Sequence, residues 1–308
     1  LENNPSELWS LFDFLMPGFL PSQRKFKKNI LNDGDNSYHK HFKMMISPFI
    51  LRRKKKDVLI ELPDKQIQTV YAKPSGIQEK IYLQILDRIQ KKYFQSKESF
   101  EIKKKYFNIL AALTKLRLVC DHPKLVEEEV KDEIALSGKM EALEELIIDA
   151  IDSNKKLLVF SQFVKMLKIV KKMLKDNDIS FEYMDGSTRN RKEVIDNFNN
   201  NTKIRILLST LKTGGYGINL TAADTVIILD PWWNPMTEIQ AIDRAHRIGQ
   251  TKKVMVYKMI TKGTIEEKIL NLQQKKWNLF ENLIEDGQSL VKSLDVDELK
   301  NLLEYKQK

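Results

Sequence analysis

Arg244 and Arg247 stand in the segment Gln240 to Gln250, which reads Gln-Ala-Ile-Asp-Arg-Ala-His-Arg-Ile-Gly-Gln. On a helix, Gln240, Arg244 and Arg247 fall at i, i+4 and i+7, one polar stripe, with Ile239 and Ile242 turned the other way, toward a sheet. Two planar guanidinium groups on one stripe suit a phosphoryl group, whose negative charge grows during transfer. Two surface ion pairs would use the same spacing, so the pattern alone leaves both readings open. A second segment, Ser209 to Leu220, holds Gly214, Gly215 and Gly217, three of the chain's 11 glycines, beside Thr210 and Lys212. Glycines after a strand let backbone amides approach phosphate oxygens, and Lys212 and the hydroxyls add charge and donors. A tight strand-to-helix turn explains such a cluster as well. It is not a P-loop, because no G-x-x-x-x-G-K-[ST] run occurs anywhere.

The elements that must position these residues change character along the chain. Up to about residue 150 the pattern is mostly helical. Leu8, Leu11, Phe12 and Leu15 share a face closed by Pro17-Gly18; Ile77, Ile81, Ile85 and Ile89 form another; Ile109, Leu113 and Leu116 form a third, closed by Asp121-His122-Pro123. Gln66 to Ala72 alternates as a strand. From about Lys155, short β-rich runs appear at Leu157–Phe160, Phe181–Met184, Ile204–Leu208, Thr225–Leu229 and Val254–Ile260. Amphipathic helices lie between several of them, and Thr237 with Gln240, like Thr264 with Glu267, has capping-box spacing. Alternation at this pitch predicts a parallel α/β sheet flanked by helices. Ligands of such sheets sit beyond the carboxyl ends of the strands. Gln162, Asp185 to Thr188, Ser209 to Asn219 and Asp230 to Pro235 each follow a run, so polar chemistry is expected on that edge.

Composition narrows the partners. The 308 residues, about two domains' worth, carry 52 Lys+Arg against 42 Asp+Glu, a net +10 that favours a polyanion, nucleic acid ahead of a membrane surface. Eleven basic and two acidic residues lie between Arg24 and Lys56, whereas Val126 to Asp149 holds nine acidic and two basic. Both stretches also read as solvated helix faces. No apolar run approaches the roughly 18 residues of a membrane-spanning helix. One cysteine, Cys120, excludes an internal disulfide framework and a multi-cysteine zinc site, and four scattered histidines argue against a His-rich metal site. With no signal peptide and a start in mid-phrase at Leu1, the sequence predicts a piece of a longer polypeptide.

Taken together, Ser209–Leu220, Asp230–Pro235 and Asp243–Gln250 resemble helicase motifs V and VI of the Swi/Snf-like ATPases, within helicase superfamily two. Val159 to Phe163 resembles motif IV, and Asp185 to Thr188 the element after it. Leu51–Val58 with Glu61-Leu62-Pro63, Cys120 to Pro123, and Ser137-Gly138-Lys139 are also typical of the family. The resemblance spans nearly the whole chain, in order. The ending Thr-Leu-Lys-Thr-Gly-Gly leans toward bacterial members.

The resemblance implies a RecA-like C-terminal helicase lobe, with an N-terminal mostly helical insertion and a C-terminal helical extension. Its expected divisions are a helical insertion and basic inter-lobe segment at 1–65, a strand plus helical protrusion at 66–136, the lobe at 137–265 and an extension at 266–308. The Walker A loop, magnesium-binding D-E-x-H box and motif III of a first lobe have no match in the sequence. ATP with magnesium is therefore expected between this lobe and a first one, with metal ligands on the first and none here, and the chain alone is expected to be inactive. Arg244 and Arg247 take the arginine-finger role, with Gln240, Gly215 and Gly217 toward the nucleotide. Thr210, Lys212, Ser161, Gln162, Gly186, Ser187, Thr188 and Arg191 are the implied contacts to the DNA backbone. Phosphate contacts suit a translocase that must ignore sequence. His246 is expected to position the segment, and Trp232-Trp233 to serve packing or a lobe interface. The implied partners are double-stranded DNA, the first lobe of the same polypeptide, and RNA polymerase or another DNA-bound complex. The implied location is the bacterial nucleoid region of the cytoplasm, or the nucleus in a eukaryote. The rival readings are a DEAD-box-like RNA helicase lobe, whose motif VI ends Gly-Arg-x-Gly-Arg where this chain has His-Arg-Ile-Gly-Gln, and a non-enzymatic docking module.

Overall fold

Residues 5–26, 41–42, 44–51, 62–92, 102–127, 136–214, 217–282 and 303 are described by a computed structural model. The chain divides into two units, 1–61 with 277–293, and 62–276 with 294–308. The Arg52–Lys56 cluster and Gly215 lie outside the described residues.

In the first unit, helix α1 (Pro5–Leu15) turns Leu8 and Phe12 onto Leu20, Phe26, Phe42 and Ile46, a small core of its own. Trp9 Nε1 donates to the Pro21 carbonyl at 2.8 Å, folding the chain back after Pro17-Gly18.

The second unit is built on six strands: β1 (Lys65–Ala72), β2 (Leu157–Ser161), β3 (Phe181–Met184), β4 (Ile206–Thr210), β5 (Thr225–Ile228) and β6 (Val254–Thr261). They form one sheet in the order β1-β6-β5-β2-β4-β3, every pairing parallel. The helices are α2 (Gly76–Gln90), α3 (Ile102–Asp121), α4 (Gly138–Asp152), α5 (Val164–Asp176), α6 (Arg191–Asn200), α7 (Leu211–Gly214), α8 (Pro235–Ile242) and α9 (Ile265–Asn282). The RecA-like fold expected from the sequence is the fold observed.

Strand side chains alternate between the two faces, and the cores follow. Leu157 and Val159 of β2, with Ile206, Leu208 and Ile227, meet Met140, Leu143 and Ile147 of α4 and Met166, Leu167 and Val170 of α5. Leu158 and Phe160, with Leu207, Val226 and Ile228, meet Phe198 of α6, Leu211 of α7, and Ala241 and Ile242 of α8. Central strands buried on both faces read as continuous apolar runs, which is why their positions show in the sequence.

Helix starts depend on particular caps. Ser75 and Gln78 form a reciprocal capping box at α2, and the Ser137 side chain accepts from Met140 N at α4. At α8 the cap is Asn234, whose Oδ1 accepts from Met236 N at 3.0 Å, with Pro235 in the first turn. The capping box expected from Thr237 and Gln240 is thus corrected: Pro235 pre-sets the helical φ and starts the helix earlier. At α9 the Thr264 hydroxyl accepts from Glu266 N and donates to the Thr261 carbonyl. Glu266, not Glu267, is the carboxylate engaged at this helix start.

Candidate functional site

The carboxyl ends of β2, β3, β4 and β5 gather most of the expected DNA contacts. After β3, Asp185 Oδ1 accepts from the Ser187 amide at 2.8 Å and hydroxyl at 2.6 Å, while the Asp185 amide donates to Thr188 Oγ1 at 2.9 Å. These bonds, the Ser187 hydroxyl foremost, hold the Asp185 carboxyl below its ordinary value. The result is a tight turn that puts Gly186 and Ser187 in solvent, with Thr188 and Arg191 half-buried behind them. Arg191 Nε donates to the Thr188 carbonyl at 3.3 Å, closing the turn onto α6. Lys212 is exposed on α7.

Two expected contacts face inward instead. Ser161 is fully buried and donates its hydroxyl to Asp230 Oδ2, and Phe163 N donates to Ser161 Oγ at 3.0 Å. Thr210 is buried, its hydroxyl donating to Thr213 Oγ1 at 2.8 Å and accepting from Thr213 N. Each is the last residue of a central strand, where a polar group must find a partner inside the fold. Gln162 is half-buried, its backbone amide on Asp230 Oδ1 at 3.1 Å and its Oε1 accepting from Arg117.

The arginines lie at the other edge. Helix α8 ends at Ile242, and residues 243–249 continue as turns through Arg244 N→Ala241 O, Ala245 N→Ile242 O and Gln250 N→Arg247 O. The single helical stripe of Gln240, Arg244 and Arg247 is therefore corrected: Gln240 is on the helix, the arginines on a loop. Arg247 is exposed, and Gln240 and Arg244 are half-buried. Because α8 runs back against the strands, this loop sits beside the amino ends of β5, β6 and β1. His246 Nε2 lies 2.7 Å from the Pro63 carbonyl, just before β1. Asp243 pairs with Lys65 at 3.6 Å, and Gly249 takes a positive φ of 99°.

Gln250 clamps the loop. It is buried, and its Nε2 is 2.7 Å from the Ala223 carbonyl and 3.1 Å from those of Thr221 and Ala245, while its Oε1 accepts from Lys252 N at 2.8 Å. Residues 211–214 leave the carboxyl end of β4, and the stretch 217–224 reaches the amino end of β5. Gly217 on it is exposed with φ 53°, and Leu220 N donates to the Arg244 carbonyl at 3.1 Å. Strands of four or five residues at about 3.3 Å each set the edges roughly 13–17 Å apart.

Several residues that tie the site together were not among the expected contacts. Arg117, near the end of α3, is buried and reaches Gln162, the Pro231 carbonyl and Asp230. Burial pushes the Asp230 carboxyl up, against the pull of Arg117. Lys139, the second residue of α4, donates to Asp121 Oδ1 at 2.7 Å and to both oxygens of Glu266 at 2.7 and 2.8 Å, all three residues fully buried. Ser137 Oγ donates to the Asp121 carbonyl at 2.6 Å, so the Cys120–Pro123 and Ser137–Lys139 segments form one joint. The signal was an arginine amid the apolar run Leu116 to Cys120, and one of two lysines inside a mostly acidic stretch.

The arginine loop supplies cationic donors of the sort a triphosphate's oxygens accept. Among the described residues no group of three or more His, Cys, Asp or Glu is placed to hold a metal ion.

Comparison with known proteins bears on the same segments. Residues 138–249 match the helicase conserved C-terminal domain, and residues 1–125 the SNF2-related domain. The Sulfolobus solfataricus SWI2/SNF2 ATPase C-terminal domain is 32% identical with a TM-score of 0.65, covering 79% of this chain and 100% of that one. The chain belongs to the Swi/Snf-like ATPase family. The Sulfolobus solfataricus SWI2/SNF2 ATPase core in complex with dsDNA is 37% identical with a TM-score of 0.67, covering 99% of this chain and 65% of that one. An uncharacterized ATP-dependent helicase of Mycoplasma pneumoniae is 39% identical over 309 residues, 99% of this chain. The Swi/Snf-like chain spans 29% of that relative's length. Among the described residues no helix is long and apolar enough to cross a membrane.

Proposed function

We propose that the chain is the second motor lobe of an ATP-dependent double-stranded-DNA translocase, supplying the arginine fingers and part of the DNA track. The observation that carries this reading is the arginine loop: Arg247 exposed and Arg244 half-buried, on a turn braced by Gln250, His246 and Asp243. Loop bracing of this kind holds charge ready for a ligand and avoids reorganisation during reaction. When bound, ATP with its magnesium ion supplies the phosphoryl group that is transferred to water. Arg247 and Arg244 neutralise charge growing on the phosphoryl oxygens, an effect worth about 10³–10⁵ in rate where a finger acts. Gln240, Gly215 and Gly217 are the residues assigned to the nucleotide side, with Gly217 exposed at a positive φ of 53°. The carboxylates that hold magnesium belong to the first lobe, so this chain alone does not turn over ATP.

At the carboxyl edge, Lys212, Arg191, Gln162 and the turn of Gly186, Ser187 and Thr188 face the phosphodiester backbone. Ser161 and Thr210 shape this edge from within. The 211–224 segment passes nucleotide-dependent shifts of the arginine loop to the DNA edge through the Leu220–Arg244 bond. Partners are double-stranded DNA, the first lobe, and a DNA-bound complex such as RNA polymerase, in the bacterial nucleoid or a nucleus.

The test compares the chain alone with the full-length polypeptide carrying both lobes. Hydrolysis is expected only from the latter, stimulated by duplex DNA, and Arg247→Ala is expected to abolish it while sparing duplex affinity. Stimulation by single-stranded RNA would favour the RNA helicase reading, and no stimulation the docking module. Equal loss of hydrolysis and DNA affinity in Arg247→Ala would return that residue to a structural role.

A further inference from the structure

Arg117 is 1% exposed, and its guanidinium lies 5.5 Å from the Phe163 ring centroid and 5.3 Å from that of Trp233. Its Nη1 donates to Gln162 Oε1 at 3.1 Å, and its Nη2 donates to the Pro231 carbonyl and lies 3.9 Å from Asp230 Oδ1. Packed rings and fixed acceptors leave this planar group one orientation. An arginine has donors and no acceptor, so the Gln162 carboxamide must turn its oxygen inward. Its amide nitrogen is then left without a role toward Arg117, and Gln162 Nε2 is a buried donor with no hydrogen-bond partner among the described residues. An unpaired buried donor is costly, and an incoming acceptor relieves the cost. Phosphodiester oxygens are acceptors only.

We propose that Arg117 is a positioning residue for the DNA backbone: by holding the Gln162 oxygen, it presents the Gln162 amide nitrogen to a phosphate oxygen of the tracked strand. The assignment rests on the duplex-DNA reading above. The nitrogen is shielded in the free chain, so a seated strand displaces its cover. Ser161 and the Gln162 backbone amide, both on Asp230, keep the end of β2 in place while this happens. The helix α3 thereby sets the polarity of a contact made at the end of β2, which no spacing within residues 157–163 specifies.

Gln162→Glu separates this role from a purely structural one. A carboxylate in that place still accepts from Arg117, with charge added, so a structural partner is served as well or better. The proposal expects the thermal midpoint of the full chain to hold or rise while binding to a random-sequence duplex weakens about five- to tenfold, because an acceptor now faces phosphate. Gln162→Ala is expected to weaken binding about threefold. Arg117→Lys keeps the charge but cannot span both acceptors in one plane, and is expected to match the Gln162→Ala loss. Duplex affinity of Gln162→Glu equal to wild type overturns the assignment alone. A wild-type chain that binds no duplex overturns the duplex reading, and the assignment with it.

Discussion

Gln250 shows how one side chain decides where two catalytic candidates can be. Its amide donates to the carbonyls of Thr221, Ala223 and Ala245, which belong to two separate segments, the 220–223 turn and the turns after α8. Gln250→Glu replaces N–H donors by oxygens facing three carbonyl oxygens. The expected result is a loss of about 1–3 kcal/mol in stability, the penalty for unpaired buried acceptors. In the full-length protein, hydrolysis is expected to fall about 10²-fold with little change in the KM for ATP, since small misplacement of a charge-stabilising group acts on the rate. Steady-state kinetics beside a melting curve checks both. An unchanged kcat would mean that the loop tolerates the loss of its clamp.

At the scale of elements, the buried joint of Lys139, Asp121 and Glu266 binds α3, α4 and α9 to the end of β6. Glu266 Oε2 also accepts from Thr261 N at 2.8 Å, and Thr261 Oγ1 donates to the Cys120 carbonyl at 2.8 Å. Lys139→Met leaves two buried carboxyls without a cation and is expected to destabilise the fold by about 3–5 kcal/mol near neutral pH. Burial pushes both carboxyls above their ordinary values, against the pull of Lys139, whose ammonium is in turn held protonated by them. A carboxyl raised in the folded state gives stability that is full below its unfolded value and lost as pH rises through the folded one. The Lys139→Met penalty should therefore be smallest in mildly acidic buffer and grow toward alkaline pH. Denaturant titrations at several pH values measure it, and a penalty that grew on acidification would contradict the assignment of charges.

For the whole molecule, the proposed function divides the work between the two edges of one sheet. A net charge of +10 draws any polyanion, but only the carboxyl edge offers exposed Lys212, Gly186 and Ser187 with Arg191 behind them. Lys212→Ala is expected to weaken duplex binding about equally on unrelated sequences and to reduce the salt slope by about one unit, as losing one phosphate contact should. Titrations on two duplexes across a salt series would detect it. A loss confined to one sequence would mean base reading rather than backbone tracking.

Much of this organisation is legible in the residues alone. Patterning located all six strands to within about two residues: the central strands β2, β4 and β5, buried on both faces, as largely apolar runs, and the edge strand β1 by alternation. The motifs pointed to the family to which the chain belongs. What the linear pattern could not supply is neighbourhood. The pairing of β1 with β6 joins segments far apart in sequence, and it brings Pro63 and Lys65 to His246 and Asp243. Those contacts, with Leu220 on the Arg244 carbonyl, accompany the end of α8 at Ile242 where local spacing alone would let the helix run on. The inward turn of Ser161 likewise depends on Asp230, distant in sequence, being opposite it. Local propensity and periodicity decide which segments become strands or helices and which carry the charged groups. Which edge those groups occupy, and which are held in reserve by a buried partner, is decided only when distant strands pair, because hydrogen bonds and ion pairs act over a few ångströms and not along the sequence.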